Sequence, residues 1–170
     1  MNLDSVILRA LEPKDLNDLI SIENNQYLWK YSNRNEPFSK HLLSKYIEQQ
    51  NQDIFEVKQK RFVISQVDEN FLGFVDLFDF TPIHRRAGVG IVLRKDQRGK
   101  GIGKRSLELL NEYAYKHLNI NTLFANIAFE NRVSILLFES CGYEQQGLKK
   151  NWNFYDGTFH DEYIYVKSFS

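Results

Sequence analysis

One cysteine, three prolines and one methionine are all that this chain of 170 residues carries of those types, and neither sign of charge is in excess. The lone Cys141 cannot close an internal disulfide. No Cys/His cluster has zinc spacing, and His41, His84, His117 and His160 share no metal-ligand interval. Neither a redox staple nor a structural metal is expected. No stretch approaches the ~18 apolar residues of a membrane span, and the first residues lack a basic region followed by an apolar run. A cytoplasmic location without membrane attachment is the resulting expectation.

What is present fits an ordinary folded chain: 42% hydrophobic and 26% charged residues exclude disorder and a collagen-like class. At this length a single domain, residues 1–170, can bury roughly 70% of its unfolded surface. Thirteen Phe, nine Tyr and two Trp supply apolar area for a core.

The zero net charge hides an asymmetry. Arg85, Arg86, Arg94, Lys95, Arg98, Lys100, Lys104 and Arg105 face only Asp96 within residues 84–105. Gly88, Gly90, Gly99, Gly101 and Gly103 fall in the same segment. Cations mixed with permissive backbone suit a polyanion brought close to the main chain. A solvated basic loop is the alternative that charge alone leaves open.

Periodicity predicts a first strand over Val6–Leu11 and a helix over about 13–24. A polar loop follows over 24–35, then a second helix capped by Ser39. Arg61–Val67 and Phe71–Phe80 read as a hairpin, Ala87–Leu93 as a fourth strand. A long helix follows the glycines, with Leu107, Leu109, Leu110, Tyr113, Ala114 and Leu118 apolar and Glu108, Asn111, Glu112 and Lys116 wet. Thr122–Ile127 is a fifth strand and Arg132–Ser140 a short helix. A closing hairpin turns at Asp156-Gly157. The order implies an α/β (α+β) domain, a mixed sheet with helices packed on it.

Arg98-Gly99-Lys100-Gly101-Ile102-Gly103-Lys104 lies between a strand and a helix, where free N–H groups and the helix dipole favour an anion. It is not a P-loop, because Arg98 stands where the first glycine is needed and Arg105 replaces the Ser or Thr. A dinucleotide G-x-G-x-x-G is one residue short.

Arg98-x-x-Gly101-x-Gly103 instead resembles the acetyl-CoA diphosphate loop of the GNAT superfamily of N-acetyltransferases. Asn131, Val133, Ser134, Ile135, Leu137, Phe138 and Cys141-Gly142-Tyr143 are similar to that family's next block. Asp76, Asp79 and His84-Arg85-Arg86-Ala87 resemble the spermidine and ribosomal-protein alanine N-acetyltransferase branch. The resemblance implies a mostly antiparallel sheet of about seven strands with about four helices, its fourth and fifth strands splayed. It implies acetyl-CoA as co-substrate and no metal. Ile91, Val92 and Leu93 would then hold the pantetheine, with an N–H near Leu93 polarising the thioester carbonyl, a donor contributing ~3 kcal/mol. The N–H groups of Gly99, Gly101, Gly103 and Lys104 would take the diphosphate, Arg98 would add charge, and Asn131 would bond the pantetheine.

The acceptor on this reading is a small primary amine, such as a polyamine, or a protein N-terminus, attacking directly without a covalent enzyme intermediate. Cys141 is an inert core thiol. Asp79 and His84 are the candidates for catalysis; Trp29, Tyr31, Glu36 and Asp76 are those for the acceptor. Salt bridges from Asp76 and Asp79 to Arg85 or Arg86 are the competing expectation. Many relatives have a tyrosine acid where this chain has Phe138, so water, Tyr143 or another donor must serve the departing thiolate. An impaired CoA-binding module and a nucleic-acid binder are the alternative functions, and a homodimer the assembly the resemblance suggests.

Overall fold

The computed structural model describes residues 2–169. Its elements are β1 (Val6–Ala10), α1 (Leu16–Glu23), α2 (Gln26–Trp29), α3 (Lys40–Glu48), α4 (Ile54–Val57), β2 (Lys60–Gln66), β3 (Phe71–Thr81), β4 (Arg86–Leu93), α5 (Ile102–Leu118), β5 (Thr122–Ala128), α6 (Arg132–Ser140), β6 (Glu144–Tyr155) and β7 (Thr158–Ser168). All seven strands join one sheet in the order β1-β2-β3-β4-β5-β7-β6. Every neighbouring pair is antiparallel except β4 and β5, which run parallel.

Both faces of the sheet are covered at its β2–β3–β4 centre. Helix α5 buries Leu107, Leu110, Ala114 and Leu118, an i, i+3, i+7, i+11 stripe, in a core that includes Val75, Leu77, Val89 and Leu123. Each fully buried leucine is worth about 2 kcal/mol of apolar transfer. Leu19 of α1 with Leu43 and Ile47 of α3 covers Val63 and Phe74 on the opposite face. β3 therefore has no wet face over Phe71–Val75, all of which are buried. Its sequence is a continuous apolar run there, interrupted by Gly73, where a Cβ would collide with the Val92 carbonyl of β4.

Several local expectations need correcting. The first helix starts at Leu16, because Pro13–Asp15 is a 3₁₀ turn in which the Asp15 carboxylate accepts the Glu12 N–H and pairs with Arg9. The 24–35 loop contains α2, capped by the Asn25 side chain on the Tyr27 N–H. Asp53 caps a further short helix, α4, in the same way. Asn111, predicted wet, is buried, its Oδ1 accepting the Tyr143 hydroxyl at 2.7 Å. β3 runs on to Thr81 through an irregularity in which Asp79 takes φ +48°.

Candidate active site

β4 leaves β5 almost as soon as they meet. The parallel pairing covers Arg86–Thr122, Ala87–Leu123 and Gly88–Phe124 and then stops. The β3–β4 register, by contrast, holds from Phe78–Gly88 to Gly73–Leu93. The Arg94 N–H donates to the Leu72 carbonyl at 2.9 Å. Antiparallel alternation then turns the N–H groups of Gly90 and Val92 toward β3 and, past the last pairing with β5, those of Ile91 and Leu93 into the gap. Backbone donors in a gap between strands are a template for an extended ligand.

The gap leads to the N-terminus of α5. Arg98 donates from Nε and Nη2 to the Leu93 carbonyl, both at 3.2 Å, and so ties the basic loop to the end of β4. Gly99 and Gly101 have φ +73° and +81°, and Gly101 is the N-cap of α5. This left-handed turn costs other residues ~1–2 kcal/mol each. A Cβ at Gly103 would lie 3.2 Å from Leu137 Cδ2 and 3.6 Å from Leu93 Cδ1, so glycine lets the helix start close against β4 and α6. Arg105 supplies the first N–H to return to a carbonyl, that of Gly101 at 3.1 Å. The N–H groups of Ile102, Gly103 and Lys104 are the open donors ahead of it, aimed where the dipole is positive. The loop and gap thus fit a phosphorylated ligand with an extended arm.

The acceptor-side residues divide. Asp76 lies opposite Gly90, its Oδ2 4.0 Å from where a Gly90 Cβ would be. Its charge is paired with Arg61 and not with Arg85 or Arg86: Nε to Oδ1 at 2.6 Å and Nη2 to Oδ2 at 2.9 Å. Arg85 instead bonds Asn119. Arg61 also reaches Glu23 of α1 at 2.5 Å, and Arg34 stands 3.8 Å from the same carboxylate. Burial alone would pull the Arg61 guanidinium down, but facing Asp76, Tyr46 and Glu23 hold it above its ordinary value. Sequence reasoning missed Glu23 and Arg61, since residues 38 apart in the chain carry no local signal for meeting.

Asp79 and His84 are exposed at the closed end of the strand pair, beside Arg86. Leu93 lies ~23 Å farther along β4 from Arg86, seven steps of ~3.3 Å. The structure therefore does not bring Asp79, His84 and the Leu93 N–H together. Trp29 lines a cavity of ≈ 610 Å³ between α2 and the β6–β7 tip, with Lys30, Arg34, Tyr155 and Asp156, whereas Tyr31 and Glu36 are exposed and outside its lining. Asn131 caps α6, its Oδ1 accepting the Ser134 N–H at 3.2 Å, at the open end of β5.

No hydroxyl stands at the edge-on Phe138–Tyr143 ring pair except that of Tyr143, already given to Asn111 in the core. Tyr143 is buried with its hydroxyl committed to Asn111, and burial pushes the phenol up. Cys141 is buried, and burial raises its thiol too. Among the described residues no group of three or more metal-ligating side chains comes together, and no helix is long and apolar enough to cross a membrane.

A sheet split between two parallel central strands, with a glycine turn and open helix N–H groups at the mouth of the split, is the architecture of an acyl-CoA-dependent acyltransferase. Residues 5–144 match the family model described as acetyltransferase (GNAT) domain, and the chain belongs to that family. It is 29% identical over 154 residues to the spermidine N(1)-acetyltransferase of Vibrio cholerae, covering 91% of this chain and 87% of that one. The crystal structure of spermidine N-acetyltransferase from Vibrio cholerae in complex with CoA and spermine superposes with a TM-score of 0.88 at 25% identity, over 97% of this chain and 96% of the other. A form of the Vibrio cholerae enzyme described as dodecameric gives 0.81 at 27% identity, over 97% and 94%. The chain is accordingly an enzyme that uses acetyl-CoA and transfers the acetyl group to a primary amine.

Proposed function

We propose that the acetyl donor lies along β4 and the amine arrives from the Asp76 side. The observation that carries this is the pair of N–H groups of Ile91 and Leu93, turned into the gap and leading to the open N-terminus of α5. Ile91, Val92 and Leu93 hold the pantetheine. The N–H groups of Gly99, Gly101, Gly103 and Lys104 take the diphosphate, with Arg98 beside them. Asn131 retains its amide nitrogen for the arm after capping α6 with its oxygen.

Leu93 lies ~10 Å beyond Gly90, three strand steps. With the amine at Asp76, opposite Gly90, the Ile91 N–H is the better-placed donor to the thioester oxygen, and Leu93 serves the arm. An amine of pKa ~10 arrives protonated, so its proton must leave before attack. Asp76, each of whose oxygens keeps a lone pair beside the Arg61 bonds, accepts it directly or through water. Thiolate departs to solvent, since neither Phe138 nor Tyr143 offers a proton.

Polyamines enter as acceptors through the names of the relatives, protein N-termini through the branch resemblance. Self-association belongs to the same reading, supported by the dodecameric relative. The test is an amine panel assayed for acetyl-CoA-dependent thiol release, with CoA titrated into wild type and Gly101→Glu. The carboxylate beside the diphosphate should weaken CoA at least tenfold, or ~1.4 kcal/mol. Unchanged affinity in the folded variant refutes the cradle, and binding without turnover of any amine refutes the enzyme reading in favour of an inert CoA module.

A further inference from the structure

We propose that Arg61 sets the charge class of the acceptor: by occupying Asp76 and Glu23 it leaves the acceptor side without a free buried carboxylate, so the enzyme prefers amines whose remainder carries no further positive charge. The inference rests on the reading that the amine arrives beside Asp76. A polycation is held by uncompensated carboxylates, and the two partly buried acids beside Gly90, Asp76 and Glu23, are both paired with arginine. Both oxygens of Asp76 accept from Arg61. Glu23 is taken by Arg61 at 2.5 Å with Arg34 at 3.8 Å, so two arginines balance two acids.

Gly88 and Gly90, which project toward the same space, add no charge, and the Phe78 ring fills the position a Gly88 side chain would need. On the far side Glu130 accepts the Tyr155 hydroxyl and lies 3.5 Å from His160 Nδ1. Glu162 is bound by Lys149 at 3.0 Å and by Asn153 at 2.8 Å, and Asp161 accepts the Asn151 N–H. Asp156 and Glu36 keep free carboxylates, but both are exposed, where an ion pair is worth ~0–1 kcal/mol.

The cavity between α2 and the hairpin tip has the opposite character. Lys30 has no carboxylate within ion-pair distance among the described residues, its ammonium lying 5.1 Å from the Tyr31 ring centroid and 5.7 Å from that of Tyr155. Arg34 lies 3.2 Å over the Phe38 ring, its Nε buried without a partner. Lys30 and Arg34 line this space with Asp156, Arg34 being the cation shared with Glu23. A chain of paired side chains, Arg34 to Glu23 to Arg61 to Asp76, runs from its wall toward Gly90, and a substrate tail lying in it meets Lys30, Arg34 and aromatic rings.

The test compares kcat/KM for hexylamine and spermidine in wild type, Arg61→Lys, Arg61→Gln and Arg61→Gln/Glu23→Gln. The double variant removes one acid with the base and so protects the fold. Wild type and Arg61→Lys should favour hexylamine or treat the two alike. In whichever of Arg61→Gln and the double variant folds, the spermidine-to-hexylamine ratio should rise at least tenfold, mainly through KM for spermidine. A wild type that already prefers spermidine tenfold, or a ratio unmoved in the folded variants, overturns the proposal. Calorimetry of spermidine with the CoA-loaded proteins reads the same effect without turnover: tenfold tighter binding in the double variant supports the proposal even if the transferase reading fails, and unchanged binding overturns it.

Discussion

The guanidinium of Arg98 is bound to the carbonyl of Leu93, with Nε and Nη2 each 3.2 Å from the same oxygen. The residue expected to meet the diphosphate thus also closes the end of β4, and it fixes the loop at the height of the gap. Arg98→Ala should raise KM for acetyl-CoA about tenfold while kcat changes less than threefold, because positioning charge is lost before the reacting centre is touched. Arg98→Lys, which keeps the charge but not the fork, should fall between. Steady-state kinetics with acetyl-CoA varied would check both, and a loss confined to kcat would contradict this role.

Gly88 and Phe78 are matched across β3 and β4, and a Cβ on Gly88 would enter the Phe78 ring. Gly88→Ala should therefore destabilise the fold by about 1–3 kcal/mol, through overpacking. Phe78→Ala removes the obstacle, and the double variant should be more stable than the two single losses added together. Urea unfolding of the four proteins gives the cycle. Strict additivity would mean that the ring moves aside freely and that the glycine serves something else.

The Tyr143 hydroxyl and Asn111 form a closed polar pair within an apolar core. Tyr143→Phe should leave the amide unsatisfied and cost about 1–3 kcal/mol, while kcat stays within twofold because the hydroxyl does not reach the reacting atoms. A thermal melt and an activity assay on the same preparation separate the two effects. A large fall in kcat at unchanged stability would restore Tyr143 as the acid.

The parts of this molecule that were legible in the sequence are those with local causes. The glycine turn before α5, the apolar stripe of that helix and the Asp156-Gly157 hairpin each follow from spacing and from backbone conformations that few residues adopt. The short helices at Gln26 and Ile54 each span only four residues, too few for a periodic signal. The family resemblance anticipated the splay, while the N–H groups that face the gap follow only from the register of β4 against β3. Asn111 looked like a wet helix position, since its partner Tyr143 lies 32 residues away. The same blindness hid Arg61: its two carboxylates come from α1 and β3, and nothing near Asp76 in the chain announces that its charge is already balanced.

Asp15 ties acid stability to the first turn of the fold. It is 2% exposed, and its carboxylate accepts from Arg9 at 2.7 and 2.8 Å and from the Glu12 N–H at 2.9 Å. Burial alone would raise this carboxyl, but the Arg9 and Glu12 donors outweigh it and hold it below its ordinary 3.8. A group depressed in the folded state adds stability above its unfolded value and loses it as pH falls through the folded one. Between pH 6 and pH 5 this contribution should be flat; below pH ~4 it should decline as the carboxylate takes up its proton. Asp15→Asn leaves Arg9 without its counter-charge, so it should lower stability at pH 6 and flatten the fall below pH 4. The measurement is urea unfolding at pH 6 and pH 3 for both proteins. Equal losses between the two pH values would show that other carboxylates, and not this one, govern acid unfolding.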